Sequence, residues 1–550
     1  MAFHNFESDP GAFPRLNQAQ WQRIRELATR RQYGDGETLF EQGDLGFGLF
    51  VIEEGHVRIV QRSAGSHVEV AEHFPNEFTG DLSILNRQVA QSAALAGGDV
   101  VAWQLSSEEL QRLVSQDAEL SELVLGTFMQ RRDLFETPEH ATVTVIGSRW
   151  SPRTFELKDF LARNRVMFRS MDPDAVADVE DALCSFRYKP SDLPLVITHH
   201  AGVMKNPSTL DVANALGLRS DVDQQTYDLV VIGAGPGGLA AAVYAASEGL
   251  STLVVDSTSP GGQAGHSSRI ENFLGFPLGL SGRELAERAV TQAQRFGATI
   301  SSPARVVAID AEGPYKTLRL ESGEIVSARA VLVATGASYR RLAADGCVNF
   351  EGRGVFYAAT AMEAGMCRGG DIVVVGGGNS AGQAAVFLSK CAAKVRLVVR
   401  SESLAKSMSR YLIDRIENTE NIQLLTQAQV GCVNGNGTVQ SVRIKQADGQ
   451  SEEVKTAGVF VMVGADPGTS WLRGVVGLDA KGFVVTGRDA RKHPDFARHW
   501  HQPRDPHDLE TTCAGVFAVG DVRSGSTKRV ASAVGEGSMA VRYVHEMLAE

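Results

Sequence analysis

The sequence predicts a multidomain fold: an N-terminal β-roll with helices, a small α/β domain, and then two larger α/β domains. Three observations support this order. The first 135 residues contain short β-type runs broken by glycines. Residues 142–216 alternate short apolar runs with helical stretches. Two glycine-rich turns, each between an apolar run and a helical stretch, lie near residues 233 and 376.

Length and composition narrow the class of protein. A chain of 550 residues corresponds to about three to four domains. The net charge of −11 disfavours general nucleic-acid binding. We expect no membrane span, because no run of 18 apolar residues occurs, and the N-terminus carries no export signal. The six cysteines form no C-x-x-C pair, which favours a reducing cytoplasm and argues against a metal site.

The domain boundaries follow from the same patterns. The third domain is expected to be interrupted by the fourth and to resume after it. The predicted segments are 1–140 for the β-roll, 141–218 for the small α/β domain, 226–345 and 466–550 for the first dinucleotide-binding domain, and 346–465 for the second.

The first glycine turn follows an apolar run that begins at Tyr227. Gly233, Gly235 and Gly238 have the G-x-G-x-x-G spacing, with Pro236 inside it. The first glycine permits the tight turn, the second lets a pyrophosphate approach, and the third lets helix and strand pack closely. Asp256 follows the next apolar run, where an acid can accept a hydrogen bond from a ribose hydroxyl. This is the pattern of a Rossmann-like dinucleotide site.

The N-terminal β-roll carries two characteristic stretches, Gly36–Asp44 and Phe50–Gly55. With them it resembles the cyclic-nucleotide-binding domain of the catabolite-activator and kinase-regulatory-subunit families. That resemblance implies a phosphate cassette at 79–85, and possible ligand contacts by Gly80, Asp81, Leu82 and Ser92.

The cassette departs from the family pattern at its charged positions. Gln91 stands where the family has the arginine that pairs with the cyclic phosphate, and Gln cannot supply a charged fork. Arg87 is nearby but four residues early. Two interpretations stay open: weak cyclic-nucleotide binding, or a ligand-free docking module.

The small α/β domain resembles the thioredoxin/glutaredoxin fold. Leu193-Pro194 matches that family's cis-proline before a strand. The family's redox C-x-x-C would fall within 148–154, which contains no cysteine. Without a thiolate nucleophile there is no thiol–disulfide exchange. We therefore expect a redox-inactive domain with a structural or partner-binding role.

A second glycine turn begins after Asp371. Gly376, Gly378 and Ala381 occupy the three small-residue positions, and Asn379 and Ser380 lie between them. Where Asp256 stands in the first copy, this copy has Arg400 after the next apolar run. An arginine suits a ribose 2′-phosphate, so this turn predicts NADPH.

Residues 227–550 resemble the low-molecular-weight thioredoxin reductase family. The resemblance rests on stretches such as 260–263, 270–275, 333–338 and 515–522. It implies a homodimer that uses FAD and NADPH. The residues implied for FAD are Gly233, Gly235, Pro236, Gly238, Asp256, Gly262, Gln263, Asn272, Thr335, Gly520, Asp521, Lys528, Arg529 and Val530; those for NADPH are Gly376, Gly378, Asn379, Ser380, Ala381 and Arg400.

The chain departs from this family at the redox C-x-x-C, whose positions are Ala358 and Ala361. Our first hypothesis is therefore an FAD-dependent NAD(P)H oxidoreductase that passes electrons to a small molecule or to a redox protein. The second is a thioredoxin reductase that uses other thiols. The third is a non-enzymatic flavin and nucleotide sensor.

Overall fold

The protein is described by a computed structural model covering residues 11–549, except 64–65, 86–88, 136–140, 142, 165, 175–187, 199–200, 220–225 and 268. It is multidomain, as predicted. No helix within these residues is long and apolar enough to cross a membrane.

The N-terminal domain is an antiparallel β-roll against which helices pack. Its elements are α1 (Gln18–Arg25), β1 (Thr29–Tyr33), β2 (Thr38–Phe40), β3 (Leu49–Ser63), β4 (Ser66–His73), α2 (Leu82–Leu85), β5 (Ala93–Leu105), α3 (Ser107–Gln116) and α4 (Ala118–Phe135). The strand order is β1-β5-β3-β4, with β2 also paired to β5. Buried Phe50, Phe78 and Phe128 lie in its core.

Two helix boundaries differ from what apolar periodicity indicates. The amphipathic pattern of residues 20–31 predicts one short helix, but α1 ends at Arg25, and Thr29 to Arg31 pair with β5 as strand β1. The helical stretch from Ser106 to 135 is two helices, broken at Asp117, whose carboxylate accepts a hydrogen bond from the backbone N–H of Leu120 at 3.0 Å. Long-range pairing and local capping outweigh periodicity at these positions.

The second domain is a small mixed sheet of four strands, with one helix after its first strand and another after its last. Its elements are β6 (Val143–Ile146), α5 (Pro152–Arg163), β7 (Phe168–Met171), β8 (Leu195–Thr198), β9 (Gly202–Lys205) and α6 (Thr209–Ala215). The strand order is β7-β6-β8-β9, and only β6 and β7 are parallel. The Leu193–Pro194 peptide bond is cis, as the resemblance implied.

The third domain begins with a parallel sheet. Its first elements are β10 (Thr226–Ile232), α7 (Pro236–Ser247), β11 (Thr252–Val255), α8 (Gly282–Arg295), β12 (Thr299–Ser301), β13 (Val306–Asp310), β14 (Lys316–Leu320) and β15 (Ile325–Val333). The strand order is β12-β11-β10-β15-β14-β13. Strands β10, β11, β12 and β15 are parallel, so their carboxyl ends share one edge of the sheet.

The fourth domain is a second parallel sheet with a small antiparallel sheet beside it. Counting β16 (Ser338–Tyr339) before it, the elements are β17 (Val355–Phe356), α9 (Ala361–Met366), β18 (Asp371–Val375), α10 (Asn379–Leu388), β19 (Lys394–Val398), α11 (Arg410–Glu417), β20 (Ile422–Leu425), β21 (Ala428–Asn436), β22 (Thr438–Gln446), β23 (Ser451–Lys455), β24 (Gly458–Val461) and β25 (Ala465–Asp466). Its parallel order is β17-β24-β18-β19-β20.

The chain then returns to the third domain. The remaining elements are α12 (Gly487–Arg491), α13 (Phe496–His499), β26 (Val516–Ala518) and α14 (Val530–Leu548). Strand β26 pairs in parallel with β15, so the last part of the chain completes the first large sheet.

Hydrogen bonds and aromatic packing join the first two domains to the two larger ones. Gln111 of α3 donates to the carbonyl oxygens of Gln294 and Arg295, both at 2.7 Å, at the end of α8. Phe155 of α5 packs on Phe356 of β17, with ring centroids 6.2 Å apart. The first two domains therefore rest on the two larger ones.

Candidate functional site

The first candidate site is the glycine turn between β10 and α7, at the carboxyl edge of the first large sheet. Gly233 has a φ of +106°, and a Cβ there would lie 2.4 Å from the carbonyl oxygen of Ala334. A Cβ on Gly238 would lie 1.9 Å from the carbonyl oxygen of Gly233. Both positions require glycine, because a side chain would collide with backbone.

The space beside Gly235 in this turn is not filled by atoms of the residues that the structure describes. It is the N-cap of α7 at a φ of −75°, and Pro236 is the first helical residue. The nearest atom to a Cβ on Gly235 would be the Cα of Gly262, 4.0 Å away. The first turn of α7 offers backbone N–H groups to this space, so a phosphate group could bind there.

Asp256 lies beside the turn at the end of β11. Its Oδ2 accepts a hydrogen bond from the N–H of Ala234 at 2.8 Å, and its Oδ1 accepts from Thr258 and Ser259 at 2.9 and 3.0 Å. These bonds fix the carboxylate in place. Oδ2 keeps a further lone pair, so Asp256 can still accept from a hydroxyl group.

Two more polar groups follow β15 and β26, whose carboxyl ends lie at the same edge of the sheet. Thr335 lies against Gly233, and its Oγ1 is buried with no hydrogen-bond partner among the described residues. Asp521 follows β26, and burial raises the pKa of its carboxyl, an effect that Lys528 opposes. Burying a hydroxyl group without a hydrogen-bond partner costs free energy. The Thr335 hydroxyl is therefore a group to which a bound ligand could form a hydrogen bond.

Sequence reasoning gave no separate role to Glu536 of α14. Its carboxylate accepts a hydrogen bond from the N–H of Gly520 at 2.7 Å and pairs with Arg523. Glu536 therefore holds the backbone that carries Asp521. The only signal in the sequence was its position between two glycines, Gly535 and Gly537.

The other residues predicted for this site lie at varying distances from the turn. Gly262 touches it, since a Cβ on Gly262 would lie 3.0 Å from the Cα of Gly235, and Gln263 is the next residue of the same 3₁₀ turn. Asn272 lies in an exposed loop, and among the described residues no hydrogen bond joins it to the turn.

The segment before α14 carries the remaining predicted residues. Lys528 donates to the backbone oxygen of Asp521 at 3.1 Å. Arg529 is the N-cap of α14, its side chain is exposed, and Val530 begins the helix. The open space, the acceptor oxygens and the unpartnered hydroxyl together fit an adenine dinucleotide.

The second candidate site is the glycine turn between β18 and α10. Gly376 has a φ of +141°, and a Cβ there would lie 2.3 Å from the carbonyl oxygen of Met462. Gly378 is the N-cap of α10 and, like Gly235, faces open space. Asn379 accepts a hydrogen bond from the N–H of Ser409 at 2.7 Å, while Ala381 is buried in the helix.

Two exposed side chains complete the second turn. Ser380 lies in the first turn of α10, and Arg400 lies just after β19. Ser401, the next residue, turns its hydroxyl to the carbonyl oxygen of Ser403 at 2.8 Å. Arg400 is therefore the cation at the end of β19 that could face a 2′-phosphate.

Ala358, where the resemblance places one thiol of the redox pair, lies in the connection from β17 to α9, and Ala361, where it places the other, begins α9. Thr360, between Ala358 and Ala361, donates its N–H to the carboxylate of Glu363 at 2.7 Å. Glu363 is buried, and burial raises the pKa of its carboxyl. The segment therefore ends in a helix cap and carries no thiol.

The five cysteines within the described residues are free thiols. Burial raises the pKa of Cys347 to about 11 and that of Cys367 to about 12. Cys513 is also buried, with a raised pKa. Such thiols stay protonated and unreactive near neutral pH. Cys184 lies outside the described residues.

Polar groups of the phosphate cassette in the N-terminal domain form hydrogen bonds within that domain. Asp81 accepts from the N–H of Ser83 at 2.7 Å and also contacts the Ser83 hydroxyl. Gly80 has a φ of +101°, and its carbonyl oxygen accepts a hydrogen bond from the Arg131 guanidinium. Leu82 is buried, Ser92 is half-buried, and Gln91 is exposed. Arg87 lies outside the described residues.

Comparison with known proteins identifies the two larger domains. Residues 227–537 match the family described as pyridine nucleotide-disulphide oxidoreductase. The chain belongs to this family. Residues 30–117 match the cyclic nucleotide-binding domain, which agrees with the β-roll.

Several curated relatives are thioredoxin reductases. The protein from Mycolicibacterium smegmatis is 35% identical over 329 residues, covering 60% of this chain and 98% of that protein. The one from Bacillus subtilis is 32% identical over 331 residues, covering 60% and 96%. The bifunctional thioredoxin reductase/thioredoxin of Mycobacterium leprae is 35% identical over 326 residues, covering 59% of this chain and 66% of that protein.

Solved structures support the same fold. Thioredoxin reductase from Lactococcus lactis has a TM-score of 0.53 and 28% identity, and covers 59% of this chain and 99% of its own. The enzyme from T. acidophilum has a TM-score of 0.53 and 29% identity, and covers 60% and 100%. The family member described here is thus an FAD-dependent NAD(P)H oxidoreductase of the thioredoxin-reductase type.

The open space at Gly235 can be tested directly. Gly235→Val should fold normally, because its φ is ordinary and no atom lies within 4 Å except at the limit. It should lose bound flavin, from about one FAD per chain to almost none, because the side chain fills the pyrophosphate space. Flavin absorbance of the purified protein measures this.

A matched control uses a glycine that also has space but lies in α4. Gly126→Val should keep its flavin, since no atom lies within 4 Å of a Cβ there. Normal flavin content in Gly235→Val, with circular dichroism unchanged, would contradict the assignment of the turn.

Proposed function

We propose that this protein passes electrons from NADPH, by way of FAD, to an acceptor without any thiol relay. One contrast carries the proposal. The glycine turn at Gly235 keeps the space and polar partners that a dinucleotide needs, while Ala358 and Ala361 replace the family's sulfurs.

We assign the FAD site to the first turn. FAD, when bound, accepts two electrons from NADPH and releases them to an acceptor. The protein supplies positions for it: α7 offers N–H groups to the pyrophosphate, Asp256 accepts from a ribose hydroxyl, and Asp521 accepts from a second hydroxyl. The remaining residues that we assign to this site are Gly233, Pro236, Gly238, Gly262, Gln263, Asn272, Thr335, Gly520, Lys528, Arg529 and Val530.

We assign the NADPH site to the second turn. Its members are Gly376, Gly378, Asn379, Ser380, Ala381 and Arg400. Arg400 supplies the positive charge for a 2′-phosphate. The neighbouring position is Ser401, which adds no second charge, so we expect a modest preference for NADPH over NADH.

The acceptor reacts directly in this proposal. The thiols whose pKa values are raised are buried and cannot exchange with a protein disulfide. A small acceptor such as oxygen or a quinone, or a redox protein docked near the flavin, then takes the electrons. If the protein oxidised NADPH steadily with any acceptor, that turnover would exclude the third hypothesis, a purely sensing role.

We further propose that the second domain is a thioredoxin-like domain that has lost its redox function. The parallel pair β6–β7 and the antiparallel pairs β6–β8 and β8–β9 support this. The loop before α5 contains Ser148 and Ser151 and no cysteine. We also propose a cytoplasmic homodimer, on the resemblance to the reductase family.

The cofactor preference gives one prediction. Arg400→Ala should lower kcat/KM for NADPH about tenfold, the low end for one charge-assisted contact, because Arg400 is exposed. The value for NADH should not change. Arg410→Ala, an exposed arginine of α11 that pairs with Asp414, is the control and should leave both values unchanged.

The missing relay gives a second prediction. The protein should oxidise NADPH with a quinone or oxygen, but should not reduce thioredoxin. A variant with all six cysteines replaced by alanine should keep its quinone activity, because no sulfur takes part. Steady-state NADPH oxidation, with thioredoxin, quinone or oxygen alone, measures both.

The contrary result is equally specific. Rapid thioredoxin reduction that disappears in the cysteine-free variant would reveal a thiol relay. It would favour the second hypothesis, a thioredoxin reductase with unusual thiols.

The cassette gives a third prediction. Cyclic AMP should bind weakly, with a Kd above the micromolar range, because Gln91 is uncharged and Asp81 is already engaged. Gln91→Arg should tighten binding about tenfold or more by adding one charge-assisted phosphate contact. Calorimetry on both proteins decides this, and submicromolar binding to the unmodified chain would contradict it.

A further inference from the structure

A large cavity lies where the N-terminal, second and third domains meet. Its lining also includes Thr360 of the fourth domain and residues at the phosphate cassette, among them Gly80, Asp81, Leu82, Gln91 and Ser92. Its volume is about 530 Å³, which is within the range of small-molecule sites. Apolar side chains from all three domains line it, including Phe40, Phe47, Ile59, Val166, Leu216 and Val290. The cavity is therefore suited to the apolar body of a small ligand.

The N-terminal domain brings two arginines to this cavity within the described residues, and both are engaged; Arg132 lies 3.8 Å from the carboxylate of Glu287. Arg131 lines it, but its guanidinium donates to three backbone oxygens, those of Ala12, Phe78 and Gly80, at 2.7, 2.8 and 2.8 Å. Its donors are directed into the β-roll, and Arg131 cannot also hold a ligand anion. Gln91, at the family's arginine position, is uncharged.

The cations at the opposite wall come from two other domains. Arg163, at the end of α5, and Arg283, in the first turn of α8, both line the cavity. Both lie close enough to His266 to lower its pKa, which burial and these two charges bring to about 4. His266 is thus a neutral group in a positive environment.

The two arginines are only loosely engaged by protein groups. Arg163 donates to the carbonyl oxygen of Ser259 at 3.3 Å and lies 3.9 Å from the carboxylate of Asp159. Arg283 makes no hydrogen bond or ion pair within 4 Å to any described residue. Asp159 lies near both arginines, and burial raises the pKa of its carboxyl, an effect that Arg163 and Arg283 oppose. Other charges at the wall are Arg132 and Glu287, which lie 3.8 Å from each other.

We propose that this cavity binds a small amphipathic anion, whose charged group lies between Arg163 and Arg283 and whose apolar body contacts the β-roll. The anion site is then built by the second and third domains, not by the phosphate cassette. A phosphate, sulfonate or carboxylate group satisfies the same chemistry, since each accepts hydrogen bonds from guanidinium groups.

A pair of fluorescent probes tests the proposal on the full flavin-loaded chain. Anilinonaphthalene sulfonate has an apolar body and one negative charge, and N-phenyl-1-naphthylamine has nearly the same body without the charge. We expect the sulfonate to bind more tightly. In Arg283→Gln its affinity should fall about tenfold, and in Arg163→Gln/Arg283→Gln about a hundredfold, with the uncharged probe unaffected.

Two further variants separate the site from general effects. Arg288→Gln removes a charge from the same helix, where Arg288 pairs with Glu284 and does not line the cavity, and should leave both affinities unchanged. Arg283→Lys should recover most of the sulfonate affinity. Equal binding of the two probes, or an equal loss of sulfonate affinity in Arg288→Gln and Arg283→Gln, would overturn the proposal.

Discussion

The close contact between two glycine-bearing helices holds the third domain together. A Cβ on Gly537 of α14 would lie 2.2 Å from the carbonyl oxygen of Gly237 in α7. A Cβ on Gly237 would lie 3.1 Å from the carbonyl oxygen of Ala533. The helices can approach this closely only because neither position carries a side chain. This contact brings the last part of the chain, with Asp521, to the first glycine turn.

Much of the site could be predicted because it depends on sterics that are local in sequence. Gly238 is required by the carbonyl oxygen of Gly233, within one strand–turn–helix unit, so the spacing of these glycines predicts the turn. Gly233 and Gly376 instead meet carbonyl oxygens distant in the sequence, those of Ala334 and Met462, so only the recurring glycine pattern predicted them. Asp256 was predictable because parallel strands end at one edge of a sheet.

Other features could not be predicted, because they depend on partners distant in the sequence. Thr29 to Arg31 lie in a strand because they pair with β5, about seventy residues away in the chain. Glu536 supports Gly520 through a bond between two elements that only the folded domain brings together.

Helix α8 connects the N-terminal domain to the first dinucleotide turn. Its last carbonyl groups accept hydrogen bonds from Gln111 of the N-terminal domain. At its other end, Gly282 lies so close to Ala264 that a Cβ would be 1.6 Å from the Ala264 carbonyl oxygen. Ala264 belongs to the 3₁₀ turn that also contains Gly262 and Gln263. A single helix therefore spans from the β-roll to residues that border the proposed flavin site.

The same helix explains why the N-terminal domain cannot be understood from its own sequence. Its cassette resembles a ligand site, yet Asp81 and Arg131 are engaged by groups within the domain. The cations that face the cavity, Arg163 and Arg283, belong to α5 and α8. If an anion binds between them, an isolated N-terminal domain lacks the charged half of the site. Ligand binding then requires the domain to be docked, and a bound ligand would in turn stabilise that docking, because it contacts both sides.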